Sequence, residues 1–106
     1  MRIKLFIKTG NDIAEGLFLG KKMIVCKGSI ISQKEPASSF SYAEVREDLM
    51  SKYTIKENDK IKLVEDIEFN SASTAANFCL GYSSNGLITW KDERGKTLKK
   101  ILSEFE

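Results

Sequence analysis

The chain contains no histidine. Imidazole is therefore missing both as a general base and as a metal ligand, which excludes His-based catalysis and His-based metal sites. The two cysteines, Cys26 and Cys79, lie far apart and form no Cys-x-x-Cys pair. Free buried thiols in a reducing cytoplasm are the expectation, and without a histidine neighbour neither is expected to act as a nucleophile. No apolar run comes near the length that spans a bilayer; stretches such as Met23–Cys26 end after a few residues. The first residues lack the basic, apolar and cleavage regions of a secretory leader, so a cytoplasmic protein with no membrane contact is expected. The seven glycines are isolated turn residues, with no phosphate loop or dinucleotide fingerprint. The acids are plentiful, but no pair has recognisable general acid/base spacing. These absences point away from an enzyme and imply no cofactor and no metal.

What is present suits one ordered domain over residues 1–106. One proline, 42% hydrophobic and 30% charged residues fit a single small core rather than disorder. The net charge of +2 is too slight to imply a nucleic-acid partner by itself. Its distribution is uneven. Residues 1–34 carry seven Lys/Arg against two acids, residues 35–70 five against nine, and residues 71–106 five against four.

Ile3, Leu5 and Ile7 alternate with Lys4, Phe6 and Lys8, which predicts a strand with one buried and one mostly basic face. Gly10-Asn11-Asp12 is a turn. Residues 15–19 and 23–27 read as further strands about a tight turn at 20–22, arranged as antiparallel hairpins. Gly28-Ser29 suggests a bulge, with Ile30-Ile31 continuing the strand. Ser41 and Glu44 have capping-box spacing, with Phe40 able to staple onto Val45. They predict a helix ending near Tyr53, its buried face formed by Tyr42, Val45, Leu49 and Tyr53, with Met50 at the edge. Glu57-Asn58-Asp59 is a turn. Ile61, Leu63, Ile67 and Phe69 occupy odd positions of one bent strand or two short ones, with an irregularity at Glu65-Asp66.

Residues 69–98 hold the densest local signals. Ser71 is placed to cap a helix from Ala72 to about Leu80, and Gly81 suits the left-handed position just past its end. Ala72, Ala75, Ala76 and Cys79 form a small apolar face that would let the backbone lie close to a sheet; Ser73, Thr74 and Asn77 lie elsewhere. Asn85-Gly86 is a strong two-residue turn signal. Leu87–Trp90 reads as a strand, and residues 91–96 as a polar turn with Gly95 at positive φ. Thr97 can cap a last helix whose stripe is Leu98, Ile101, Leu102 and Phe105. The order expected is β-β-β-α-β-α-β-α: an α+β domain, mostly antiparallel, with about three helices.

The pattern Phe69, Ser71, Ser73, Ala75-Ala76, Gly81, Ser84, Asn85-Gly86, Trp90-Lys91 and Gly95-Lys96-Thr97-Leu98 resembles an uncharacterised domain that other proteins append to GIY-YIG endonuclease-like modules. It is also similar to the RAMA domain, which accompanies adenine methylases and restriction components. Ala14-Glu15-Gly16, Lys27-Gly28-Ser29 and Arg46-Glu47-Asp48-Leu49 extend the likeness to about residues 13–102. Where the family often has proline, this chain has Ala72. Where RAMA-type sequences carry an aromatic residue after Asn-Gly, it has Leu87.

The resemblance implies a non-catalytic accessory domain that recognises DNA in a restriction, repair or mobile-element setting, with a nuclease or methylase partner supplied in trans. The residues expected to contact nucleic acid are Trp90, Lys91, Arg94 and Lys96, with Ser73 and Asn77 on the helix surface. Each has a plainer role. Trp90 is either core packing or a stacking platform. The basic residues around it, with Lys99 and Lys100, are either a phosphate-binding rim or a solvated face. Ser71, Ser73 and Thr74 either cap the helix or cradle an anion. The alternative class is a protein-interaction or oligomerisation module, monomeric or homodimeric, using a sheet edge or the last helix.

Overall fold

The structure is a computed structural model that describes residues 2–33 and 42–105. The alternation at the start of the chain builds β1 (Ile3–Thr9), with Leu5 and Ile7 buried. Gly10, at φ 63°, turns it into β2 (Asp12–Leu19), and Gly20, at φ 87°, turns β2 into β3 (Lys22–Val25). Both positions lie in the left-handed region that glycine enters without a Cβ penalty.

Gly28-Ser29 is not a bulge in a continuing strand. Gly28 sits at φ 93° and redirects the chain, so that β4 (Ile30–Ile31) joins a second sheet. The buried Ser29 holds that corner: its Oγ accepts the Glu15 N–H at 2.9 Å and donates to the Glu15 carbonyl at 3.3 Å.

The first helix, α1 (Ala43–Tyr53), stops where the sequence places its end. The expected Ser41 cap and Phe40 staple lie outside the described residues. Its buried face differs from the expectation. Val45 is 49% exposed, whereas Arg46 is only 4% exposed. Arg46 Nε donates to the Phe78 carbonyl at 2.7 Å and its Nη2 to the Ser32 carbonyl at 2.6 Å. A cation next to an apolar stripe reads as surface in a helical projection. Here its fork donates to two backbone carbonyls from separate parts of the chain. Arg46→Met should keep the packing volume and remove both hydrogen bonds. The expected loss is about 2 kcal/mol in urea unfolding; an unchanged midpoint would show that the clamp contributes nothing.

After α1 comes a hairpin, β5 (Thr54–Glu57) and β6 (Lys60–Leu63). Asn58 and Asp59, at φ 52° and 62°, form the two-residue turn with both φ values positive that matches strand twist. The sequence shows the turn but hides β5, whose residues are all at least half exposed or only partly covered and so lack a buried alternation. β7 (Ile67–Phe69) follows, so the odd-numbered apolar run is two strands. They belong to different sheets. The order is β1-β2-β3-β7 in one and β4-β6-β5 in the other, antiparallel throughout.

Ser71 caps α2 (Ala72–Leu80), its Oγ accepting the Thr74 N–H at 3.1 Å, and Gly81 closes the helix at φ 82°. The small face is buried as expected. Phe78, on another side, is also fully enclosed, its ring centroid 5.3 Å from that of Phe69. α2 is therefore the central element: it packs on the first sheet and β4, and the C-terminal residues wrap it.

Residues 86–89 overturn the expected strand. They form one helical turn, α3 (Gly86–Thr89), capped by the Asn85 side chain, which accepts the Leu87 N–H at 3.0 Å. Thr97 caps α4 (Leu98–Ser103), its Oγ1 accepting the Lys100 N–H at 3.2 Å. Leu98 is buried and Ile101 and Leu102 pack on the core, but Phe105 lies past the helix end at 67% exposure. The class is α+β with antiparallel sheets and four helices among the described residues.

Candidate nucleic-acid interface

Trp90 is fully enclosed. It ends α3, and its indole lies over Gly16 of β2 and beside Met23 of β3. Nε1 donates to the Ala72 carbonyl at 2.9 Å, which satisfies the one polar atom of the ring. The indole ties α3, α2 and the first sheet together and offers no face to a base. Its expected stacking role is withdrawn.

Ser73 and Asn77 are likewise taken up by the chain itself. Ser73 Oγ accepts the Gly86 N–H at 2.9 Å. Asn77 Oδ1 accepts the Ser84 N–H at 2.8 Å and the Ser84 hydroxyl at 3.3 Å. The polar side of α2, partly buried, faces the returning segment 84–86. Both residues tie that segment to the helix with their side-chain oxygens. The Ser71 hydroxyl is shared with Thr74 at 2.8 Å, so capping accounts for it as well.

The cations behave differently. The Lys91 backbone pairs with the outer edge of β1: Phe6 N donates to the Lys91 carbonyl at 2.7 Å and Lys91 N to the Phe6 carbonyl at 3.0 Å. This leaves the Lys91 side chain exposed beside β1. The next residues form a tight turn. Asp92 Oδ1 accepts the N–H groups of Arg94 and Lys96, each at 2.9 Å, and Gly95 sits at φ 83°. Arg94 is exposed at its tip. Lys96 is half-buried, with Nζ 2.9 Å from Glu104 Oε1, and is already neutralised.

Between β1 and this turn lies a cleft of about 570 Å³. Lys8, Lys91 and Arg94 line it together with Tyr82 and Ile88, and Asp92 and Glu93 stand at its acidic side. Tyr82 is 44% and Ile88 52% exposed. Lys8 Nζ lies 5.9 Å from the centre of the Phe6 ring, another lining residue. No carboxylate of the described residues pairs with Lys8, Lys91 or Arg94. Arg94 and Lys96 also border a shallower hollow with Lys4. The structure thus brings Lys91 and Arg94 into one cleft, leaves Lys96 at its flank, and removes Trp90, Ser73 and Asn77 from it. Lys8, Tyr82 and Ile88 were missed. The basic face of β1 was readable, but its pairing with Lys91 is a long-range event with no local signal.

The family model for a domain of unknown function, DUF4357, matches residues 5–102. The chain belongs to the DUF4357 family. The matched segment runs from β1 to α4, so it includes the cleft. No curated protein and no solved structure matches the chain.

Both cysteines are free. Burial pushes the Cys79 thiol up to about 12, opposed by the charge of Arg46. Burial, then Glu15 and Asp66, raise Cys26 to about 11. Both thiols are therefore protonated, and weakly nucleophilic, at neutral pH. Among the described residues no three Cys, Asp or Glu side chains gather as metal ligands, and no helix is long and apolar enough to cross a membrane.

Proposed function

We propose that this DUF4357 domain is a non-catalytic module that binds nucleic acid, DNA in the first place, through the cleft between β1 and residues 82–95. The observation that carries the reading is the convergence of Lys8, Lys91 and Arg94, uncommitted to any described carboxylate, around a concave surface holding an exposed tyrosine. Cations supply the sequence-independent attraction to phosphate, and an aromatic ring supplies a face for a base. The resemblance to domains appended to GIY-YIG nucleases and to RAMA domains supports the same class, with a nuclease or methylase working in trans. Asp92 and Glu93 oppose phosphate at one side of the cleft and keep the expected affinity modest.

The experiment is fluorescence anisotropy with labelled DNA over a salt series. Binding should weaken as salt rises, with the shallow dependence that a few phosphate contacts give. Charge reversal of Lys91 and Arg94 together should lower affinity at least tenfold, while reversal of Lys99 and Lys100, exposed on α4 and outside the cleft, should change it little. Equal loss from both pairs would mean diffuse attraction and no site. Absence of binding at low salt would leave the second reading, a protein-interaction surface. The exposed Tyr82, Leu87 and Ile88 favour that reading.

A further inference from the structure

We infer that the cleft takes an unpaired nucleotide strand, with one base inside it and the flanking phosphates on Lys8, Lys91 and Arg94. The inference rests on the nucleic-acid reading above and goes further, because the same cations could in principle dock a duplex from outside.

Shape argues first. The charged tips surround a concavity rather than crowning a ridge or helix that could enter a groove. A duplex presents a phosphate wall with its bases stacked inside, and such a wall cannot fill a hollow. An unpaired strand can turn a base inward. The lining argues second. Tyr82 and Ile88 are exposed apolar surface next to three cations. Against a phosphate wall they would gain nothing. Against the face of a base they gain stacking and dispersion, and every base has such a face.

The backbone argues third. Phe6 sends both its N–H and its carbonyl to Lys91, on the side of β1 away from β2. In an antiparallel strand alternate residues direct their peptide groups to the same edge. Lys8 therefore turns its own N–H and carbonyl to that same edge, and Lys8 is among the residues that line the cleft. A donor and an acceptor side by side match the edge of a base, which carries both, better than a phosphate, which only accepts. Finally, three cations are few. Duplex-binding proteins with strong salt dependence make many phosphate contacts, whereas three contacts to a single strand should give a log–log salt slope near −2, from about −0.7 per phosphate.

The test compares one labelled sequence in four forms at low salt: single-stranded DNA, the same strand as RNA, the blunt duplex, and a strand of abasic residues. The single strand should bind at least tenfold tighter than the duplex and than the abasic strand. Tyr82→Ala should weaken single-strand binding roughly 5- to 150-fold, the range for one lost stack, in a variant whose far-ultraviolet circular dichroism matches wild type. RNA bound more tightly than DNA supports the inference and assigns the strand to RNA; the reverse supports it and assigns DNA. Duplex bound as well as the single strand, an abasic strand bound as well as the full one, or Tyr82→Ala binding unchanged each overturns it while the nucleic-acid reading stands. No binding of any form overturns both. The abasic comparison uses the wild-type chain and decides the matter even if the variant fails to fold.

Discussion

Gly86→Ala should leave the C-terminal third of the domain unfolded. A Cβ at this position would lie 2.3 Å from the Ala72 carbonyl carbon, 2.4 Å from Ser73 N and 2.6 Å from the Ala72 oxygen. All three are backbone atoms of the first turn of α2. No side chain can rotate away, so α3 and α2 would have to separate by about an ångström to regain ordinary contact. Two hydrogen bonds cross this junction and would be stretched with it: Gly86 N–H to Ser73 Oγ, and Trp90 Nε1–H to the Ala72 carbonyl. Overpacking alone typically costs about 1–3 kcal/mol, and each buried group left without its partner adds about 1–3 kcal/mol. The sum, about 4 kcal/mol or more, is a large part of the stability of a domain this size. Chemical denaturation with near-ultraviolet circular dichroism on the indole should show the loss. A Gly86→Ala protein that melts within a few degrees of wild type would mean the helices do not meet this closely. Ser73→Ala, which removes only the hydroxyl, should cost about 1 kcal/mol.

This glycine shows where sequence reading succeeds and where it stops. Ser71, Gly81, Gly95 and Thr97 act within a few residues of themselves, through caps and left-handed turns, and each is found in the expected role. Asn85-Gly86 carries an equally local signal, for a hairpin, yet neither residue has positive φ. Asn85 is a helix cap, and Gly86 is glycine because α2 passes too close for any side chain. The apolar run after it then winds as a helical turn, because Trp90 must reach back beneath α2 to Ala72. Tertiary demand overrides strand propensity here. The same division runs through the candidate site. Lys91 and Arg94 come from one local turn and were legible. Lys8 joins them from the opposite end of the chain through the Phe6–Lys91 pairing, which no spacing rule records. Arg46 was hidden for a related reason: a buried cation is recognisable only once the carbonyls it satisfies are in place.

Trp90→Phe and Gly16→Ala should each be costly, and less so together than their separate effects predict. An added Cβ at Gly16 would lie 2.8 Å from two atoms, Cη2 and Cζ3, of the indole's six-membered ring and 3.0 Å from Met23 Sδ. The indole is fully enclosed and held by its Nε1 bond, so it cannot yield. Gly16→Ala should therefore cost about 2–3 kcal/mol, at the upper end for one overpacked methyl. Trp90→Phe removes most of that ring, leaving a cavity and losing the Nε1 bond to the Ala72 carbonyl, for about 3 kcal/mol. In the double variant the methyl enters space the indole has vacated. The coupling should be favourable by about 1–2 kcal/mol, within the range for residues in direct contact. Urea unfolding of the four proteins of the cycle measures it. Strict additivity would mean that the indole does not rest on β2, and the burial that keeps Trp90 out of the cleft would lose its support. A coupling of the expected sign instead fixes the tryptophan as the joint between sheet and helices. Any effect of Trp90 variants in the proposed DNA-binding assay would then follow from loss of the fold, and lining residues such as Tyr82, Lys8, Lys91 and Arg94 report on the cleft itself.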